Sequence, residues 1–418
     1  MTDDPHATIA AIWRIESPKL IARLSRMVRD VGRAEDLAQD AFVAALAQWP
    51  DEGIPRNPGA WLMTTAKRRA IDQIRRDETL QRKSEQFAYD LASNGVQTDI
   101  GATYDDIGDD MLRLMFLACH PVVSKDAHVA LTLKLVGGLT TAEIARAFLV
   151  SEPTIAQRIV RAKRTLAEAR IPFDVPAGVE RMARLSSILE TIYLIFNEGY
   201  AATSGDDVLR PELVEDALRL GRMLAALMPN ESDVHGLVAL MEIQASRMRA
   251  RVGPSGEPIL LLDQDRSKWN RLLIQRGLAA LAQAETLAVT SGPYALQAAI
   301  AACHARATTP EKTDWIRIAA LYDALAQLSP SPVVELNRAV AIGMAYGPQA
   351  GLDLVDELLD EPTLQTYHLL PSVRADLLSK LGRAAEARVE FERAASLARN
   401  TRDRALLLER ASRLAASR

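Results

Sequence analysis

Two cysteines in 418 residues, Cys119 and Cys303, lie too far apart in sequence to suggest a disulfide framework. Cys119 precedes His120, but two adjacent ligands do not make a zinc site, and the six histidines are scattered without a pair at helical metal spacing. The chain has no glycine-rich phosphate loop and no nucleophile elbow. It therefore offers no catalytic, cofactor-binding or metal-binding residues, and no enzyme is expected. Aromatic residues make up only 5% and no alternating strand-like run stands out, which points to an all-α fold. No apolar stretch approaches the length of a bilayer span, and MTDDPHATIA carries no basic-apolar signal segment. The expectation is a cytoplasmic protein with no membrane partner. A basic surplus is also missing. Residues 1–170 carry 23 bases and 23 acids, so the formal net charge of −4 belongs to the remainder. A protein that binds DNA tightly by itself normally shows excess positive charge; local basic patches on a neutral body suit a subunit that borrows affinity from a partner.

Such patches are present. Residues 138–166 read GLTTAEIARAFLVSEPTIAQRIVRAKRTL, two short helices around a tight turn. At 100° per residue the second helix places Thr154, Gln157, Arg158, Arg161 and Arg164 on one side. Ile155, Ile159, Ala162 and Leu166 fall on the other. Thr, Gln and Arg before an apolar back suit the major groove, where they reach base edges and phosphates. Taken alone, the stripe also fits a merely solvated amphipathic helix.

Upstream, residues 58–76 read PGAWLMTTAKRRAIDQIRR, with Asn57 as cap and Pro58 in the first turn. Leu62, Met63, Ala66, Ala70 and Ile74 form the stripe expected to be buried. Trp61, Thr64, Arg68 and Arg75 share another face, with Asp72 at its edge. A Trp among arginines suits stacking on an unpaired base while guanidiniums hold phosphates; the alternative is a Trp packed beneath a neighbouring loop. Earlier still, residues 36–50 read DLAQDAFVAALAQWP. Ala38, Phe42, Ala45, Leu46 and Trp49 share one face, and Asp36, Gln39 and Asp40, continued by Val43 and Ala47, the opposite one. Small and acidic residues make a flat patch for a partner bearing arginines, although most acidic helix faces are simply solvated.

In this order, over residues 8–170, the three motifs resemble the sigma factors of bacterial RNA polymerase, of the extracytoplasmic-function group within the sigma-70 family. The resemblance implies that DLAQDAF binds the core polymerase through Asp36, Gln39 and Asp40. It implies that AWLMTTAKRRAIDQIRR melts and reads −10 DNA through Trp61, Thr64, Arg68 and Arg75, and that the helix-turn-helix reads −35 DNA through Thr154, Gln157, Arg158, Arg161 and Arg164. Two departures stand out. The group often has Asn at the position of Arg68, leaving the base preference open. Its helix-turn-helix usually has Gly where this chain has Leu149, and a β-carbon there disfavours a left-handed turn by roughly 1–2 kcal/mol. A looser or differently shaped turn is expected.

The chain divides into a first helical domain at 8–76 and a polar linker at 77–108. A second domain at 109–170 and a helical extension at 177–418 follow. Near its end, Ala375, Leu378, Gly382, Ala387, Phe391 and Ala394 sit at tetratricopeptide spacing, without the usual early aromatic and late proline. A looser copy runs through Ala339, Gly347, Ala350, Leu354 and Leu358. Stacked repeats would offer a concave surface to a protein partner; a non-repeating bundle is the alternative. Two further segments, 195–207 and 261–271, resemble stretches of sigma factors with such extensions. Asp263, Asp265, Arg266 and Trp269 of the second read as a loop-pinning cluster. The resulting expectation is a promoter-specificity subunit with core polymerase and promoter DNA as partners and an extension that regulates or supports it. The alternative is a free-standing helix-turn-helix regulator with a helical sensor domain, which leaves the helices at 36–50 and 58–76 without a task.

Overall fold

The computed structural model describes residues 5–85, 105–200, 209–254, 256–398 and 400–416. Among these the alanine- and leucine-rich sequence forms eighteen α-helices; the only β pairing is an isolated bridge between Val252 and Pro258. No helix among the described residues is long and apolar enough to cross a membrane. The chain forms two compact units, Met1–Ile192 and Tyr193–Arg418.

The first unit contains α1 (Pro5–Val28), α2 (Val31–Glu52), α3 (Pro58–Glu85), α4 (Asp105–Ala118), α5 (Lys125–Leu131), α6 (Thr141–Ala147) and α7 (Glu152–Glu168). It also takes in α8 (Gly178–Tyr200) through Ile192. A π-helical turn, Thr132–Val136, leads from α5 toward α6. The segment expected as a linker is helical at both ends, because α3 continues to Glu85 and α4 begins at Asp105; residues 86–104 lie outside the described residues. The first half of α8 is fastened to the second domain. Arg184, 7% exposed, donates from Nη2 to Phe116 O at 2.8 Å and lies 5.6 Å from that ring's centroid. The buried Cys119 has Thr132 and Thr191 hydroxyls beside its Sγ, and burial pushes its thiol up.

The second unit stacks helices in sequence order. They are α9 (Pro211–Leu227), α10 (Ser232–Ala245), α11 (Arg271–Leu287), α12 (Pro293–Arg306) and α13 (Trp315–Leu328). After them come α14 (Pro332–Tyr346), α15 (Pro348–Glu357), α16 (Leu369–Lys380), α17 (Ala384–Leu397) and α18 (Thr401–Ala416). Small residues set the spacing. A β-carbon on Gly236 of α10 would lie 2.8 Å from Ala295 N, so a larger residue would push α12 away. The repeat-like positions of the last copy behave as their spacing predicts, whereas in the looser copy Ala339 is buried and Ala350, Leu354 and Leu358 are only half-buried. Ala375, Leu378, Ala387, Phe391 and Ala394 are buried between α16, α17 and α18, and Gly382 turns the chain at φ 77°.

Of the expected pinning cluster, Arg266 and Trp269 take that part, whereas Asp263 and Asp265 are exposed and Asp265 caps its own turn by accepting from Ser267 N at 2.9 Å. The loop is held around Arg266. It donates to His304 O at 2.5 Å, Ala307 O at 2.7 Å and Thr313 Oγ1 at 3.3 Å, and so ties its loop to the α12–α13 connection. Its guanidinium lies 4.9 Å from the ring centroid of Trp269, which is 4% exposed. His304 shares this environment, and its pKa is pushed down to about 4 by burial first and then by Arg247 and Arg266. The unfolded chain takes up that proton near pH 6.5, so between the two values the unfolded state binds more protons and stability falls as pH drops. The loss should reach roughly 3 kcal/mol once pH is below the folded value. Denaturant melts of the full chain from pH 7 to 4 should show it, and His304→Gln should flatten the profile.

Candidate polymerase and promoter interface

Helix α2 starts at Asp30, whose side chain accepts from Arg33 N at 3.0 Å. Its core face buries Val31, Ala34, Leu37, Ala38, Ala41, Ala45 and Trp49. Phe42, half-buried, stacks on Trp13 of α1 at 4.6 Å. The face read as a docking patch is exposed at Asp36, Gln39 and Asp40, and Val43 continues it at 62% exposure. Asp40 meets Arg69 at 3.2 Å, and Gln39 donates to Glu35 at 3.2 Å. A carboxylate patch interrupted by short polar and apolar side chains can accept guanidinium forks without a desolvated core of its own.

Helix α3 is capped by Asn57, which accepts from Ala60 N at 3.1 Å. Leu62, Ala66 and Ala70 are buried and Met63 is half-buried. Thr64 and Arg68 point to solvent, Thr64 also donating to Ala60 O at 2.8 Å. Trp61 is half-buried and meets Trp49 edge-on at 5.2 Å, so one edge of the indole is anchored within the first domain. Arg75 falls within α3, but its side chain, like that of Ile74, lies outside the described residues. Lys67 was not singled out in the sequence. Burial, with Arg23 and Arg26 nearby, pushes its ammonium down, a neighbourhood built by α1 and invisible to helical periodicity.

Helices α6 and α7 form the helix-turn-helix. Thr140 caps α6 reciprocally with Glu143, its hydroxyl accepting from Glu143 N at 3.1 Å while Glu143 Oε2 accepts from Thr140 N at 2.7 Å. Ser151 caps α7, whose first turn contains Pro153. The turn keeps the left-handed shape that its sequence disfavours: Leu149 has φ 52°. Val150 N donates to Ala145 O and Leu149 N to Arg146 O, closing the end of α6. These bonds offset a local strain of roughly 1–2 kcal/mol, and Leu149, 57% exposed, has little burial to lose.

The two sides of α7 separate as the spacing predicts. Ile155, Ile159, Ala162 and Leu166 are buried, while Thr154, Gln157, Arg161 and Arg164 are exposed. Arg158 is half-buried and meets Asp126 of α5 at 3.3 Å. Thr154, Gln157, Arg158 and Arg161 line one cleft with Ser124 and Asp126. Arg164 departs from that group by pairing with Glu168 at 2.6 Å.

Within the first unit, α1 and α2 also pack on the elements from α4 to α7, through residues that helical spacing did not single out. Glu35, 3% exposed, faces Lys134 of the π-helical turn at 3.6 Å and pairs with Lys163 of α7. Asp110 of α4, fully buried, meets Arg26 of α1 at 3.6 Å and Arg113 at 2.8 Å. Burial pushes the Asp110 carboxyl up while the arginines oppose it. Gly138, at φ 73°, lets the chain approach α1 so closely that a β-carbon would fall 2.8 Å from Arg14 O.

Residues 12–79 match the family model of sigma-70 region 2, and residues 113–166 that of sigma-70 region 4. Residues 184–285 match a family of unknown function, DUF6596. An uncharacterized protein of Rhizobium meliloti is 43% identical over 403 residues, covering 96% of this chain and 94% of its own length. A probable ECF RNA polymerase sigma factor SigI of Mycobacterium tuberculosis is 26% identical over 47% of this chain and 69% of its own. The ECF RNA polymerase sigma factor SigK of Mycobacterium ulcerans is 29% identical over 34% of this chain and 75% of its own. No solved structure matches the chain.

Proposed function

The chain belongs to the extracytoplasmic-function group of sigma-70 factors, in a form with a long helical C-terminal extension, and from that premise we propose a division of labour among its faces. Sigma factors are transcription initiation factors rather than enzymes, and this one acts in the cytoplasm on core RNA polymerase and promoter DNA. Asp36, Gln39 and Asp40 dock the polymerase. Trp61, Thr64, Arg68 and Arg75 capture the −10 strand, and Thr154, Gln157, Arg158, Arg161 and Arg164 read −35 DNA. The proposed domains are 8–76 for core binding and −10 DNA, 109–170 for −35 DNA, with 77–108 between them and 177–418 as the extension. The observation that carries this reading is the polarity of α7, whose apolar side is fully used in packing while Thr154, Gln157 and Arg161 stand exposed in front. Run-off transcription with purified core polymerase on a promoter library is the test. The two together should initiate at selected promoters and neither alone should. Tight sequence-specific binding by the isolated protein, without effect on the polymerase, would sink the assignment.

The extension supports rather than masks this activity. A net charge of −3 over residues 177–418 is a weak screen for basic faces, since ionic interactions fade within about 8–10 Å. The buried Arg184 contact also makes the start of α8 part of the second domain's packing. A fragment ending at Pro176 should therefore transcribe less than the full chain and melt earlier. A second fragment ending at Ile192 separates the share of α8 from that of the remaining helices. Greater activity of the shorter fragment would mean masking instead, and equal activity of all three would remove the extension from initiation.

A further inference from the structure

Of the two segments of the extension that promoter binding leaves without a task, the described end of the first, at Tyr200, and the second, 261–271, meet at one cleft. Tyr200 closes α8, Gln264 lies in the second segment, and Arg247 and Arg251 follow α10. Together with Asn400 and Asp403 these residues line a cleft of about 350 Å³, whose remaining wall includes the apolar Ile259, Leu260 and Leu406.

The charge on this wall is unusual. Arg251 donates to Tyr200 O and lies 3.8 Å from that ring's centroid. Arg247 donates to Tyr200 Oη at 2.6 Å and to Gln244 Oε1, and its guanidinium is 5.8 Å from the Trp269 centroid, which Arg266 approaches to 4.9 Å. Among the described residues no carboxylate forms an ion pair with any of these three arginines. Burial foremost, with the charge of Arg247 adding to it, pushes both Arg251 and Arg266 down. Arg247 and Arg251 each keep guanidinium N–H groups that no described residue accepts from. Gln264 is 6% exposed. Its Nε2 donates to Ile259 O at 3.1 Å, but its Oε1 accepts from no described residue, an orphaned acceptor on a cleft wall. Asp403, whose carboxyl burial pushes up, adds a second acceptor on the same wall.

Aromatic contacts and carbonyl acceptors hold these guanidiniums in place; Asp403 faces Arg251 and Glu311 faces Arg266 across the loop without closing an ion pair among the described residues, so their guanidinium forks are not occupied by a carboxylate. Such a fork matches a carboxylate in two parallel bonds, and an apolar wall with a few fixed polar groups is the usual construction of a small-molecule site. We propose that this cleft binds a small organic carboxylate that also bears a hydrogen-bond donor, an amino or 2-hydroxy acid in chemical class. Arg247 and Arg251 hold the carboxylate, Gln264 Oε1 and Asp403 accept from the donor, and Ile259, Leu260 and Leu406 cover the carbon skeleton.

Calorimetric titration of the full chain at fixed ionic strength tests the site. The probes are the common α-amino acids, the matching 2-hydroxy acids, the corresponding carboxamides, and inorganic phosphate. At least one acid should bind, with its carboxamide weaker by tenfold or more. Arg247→Gln and Arg251→Gln should each weaken that acid by a similar factor. Because either arginine variant can disturb the Tyr200 contacts, Leu406→Trp provides an independent block by filling the cleft without removing a guanidinium; a cooperative melt certifies its fold, and it should abolish binding. Absence of binding by every acid would overturn the proposal. So would phosphate binding as tightly as the best acid, or full affinity retained in Leu406→Trp. The readout is binding, so its failure leaves the promoter assignment standing, and failure of polymerase-dependent initiation leaves this site standing.

Discussion

Alanine at Gln157 and Arg158 together is expected to reduce polymerase-dependent initiation by about thirtyfold or more at a promoter whose −35 element matters. Each lost base contact costs roughly 1–3 kcal/mol, and about 1.4 kcal/mol is a factor of ten. Both side chains leave the same side of α7 and line one cleft. Removing Arg158 also frees Asp126, its partner at 3.3 Å, and places an unpaired carboxylate close to the proposed DNA face. The more exposed Arg161 should behave differently. Its loss should weaken all sequences alike and lower the salt slope by about one, as a phosphate contact does. Arg68→Ala and Trp61→Ala should spare −35 binding and impair strand opening. Arg68 is the cleaner variant, since Trp61 also packs against Trp49, and an aromatic pair of that kind contributes about 0.5–1.5 kcal/mol to stability. Unchanged permanganate footprints at −10 in both upstream variants would show that α3 is not the melting face. Equal initiation by the double variant would remove the −35 role from α7.

Glu35→Gln is expected to release the first and second domains from each other. Elements named −35 and −10 lie about 25 base pairs apart, about 85 Å of duplex at about 3.4 Å per pair. The 17-residue α7 spans only about 26 Å at about 1.5 Å per residue. In the packed arrangement, Glu35 ties α2 directly to Lys134 and to Lys163 of α7. On the proposed assignment of −10 and −35 DNA to α3 and α7, a compact unit of this size, with a radius of gyration of about 16 Å, falls short of that span, so we expect these pairs to part when the promoter is engaged. Glutamine preserves the shape of the side chain and leaves two lysine ammoniums, each only about a fifth exposed, without their counter-charge. Breaking a buried pair on one side costs about 3 kcal/mol or more, roughly a hundredfold shift toward the separated form. Small-angle scattering should report a larger radius of gyration, and run-off transcription at limiting protein should rise. Lys163→Met, which removes a partner and leaves the carboxylate buried, should act in the same direction. Unchanged scattering and unchanged initiation in both variants would mean that the contact is incidental.

What local sequence determined is the part governed by helical repeat and capping. The buried row Ile155, Ile159, Ala162 and Leu166, the exposed Thr154, Gln157 and Arg161, the exposed Asp36, Gln39 and Asp40, and the cap at Asn57 all follow from neighbours three or four positions away. The tetratricopeptide spacing from Ala375 to Ala394 was legible for the same reason. Glu35 was not, because nothing within α2 distinguishes it from the acids beside it. It is buried only when lysines from two elements some hundred residues later close over it. Leu149 misled for a related reason: intrinsic preference opposes a left-handed turn there, and the hydrogen bonds that end α6 outweigh that preference. The arginine cleft joins Tyr200 and Gln264, from the two segments that the sequence marks out, to Arg247 and Asp403, which nothing in their own stretches of chain distinguishes. Periodicity fixes which side of a helix faces inward, because apolar burial needs only a stripe. Which charges meet across that interior depends on helix pairing over long sequence separations, and only the tertiary structure decided it.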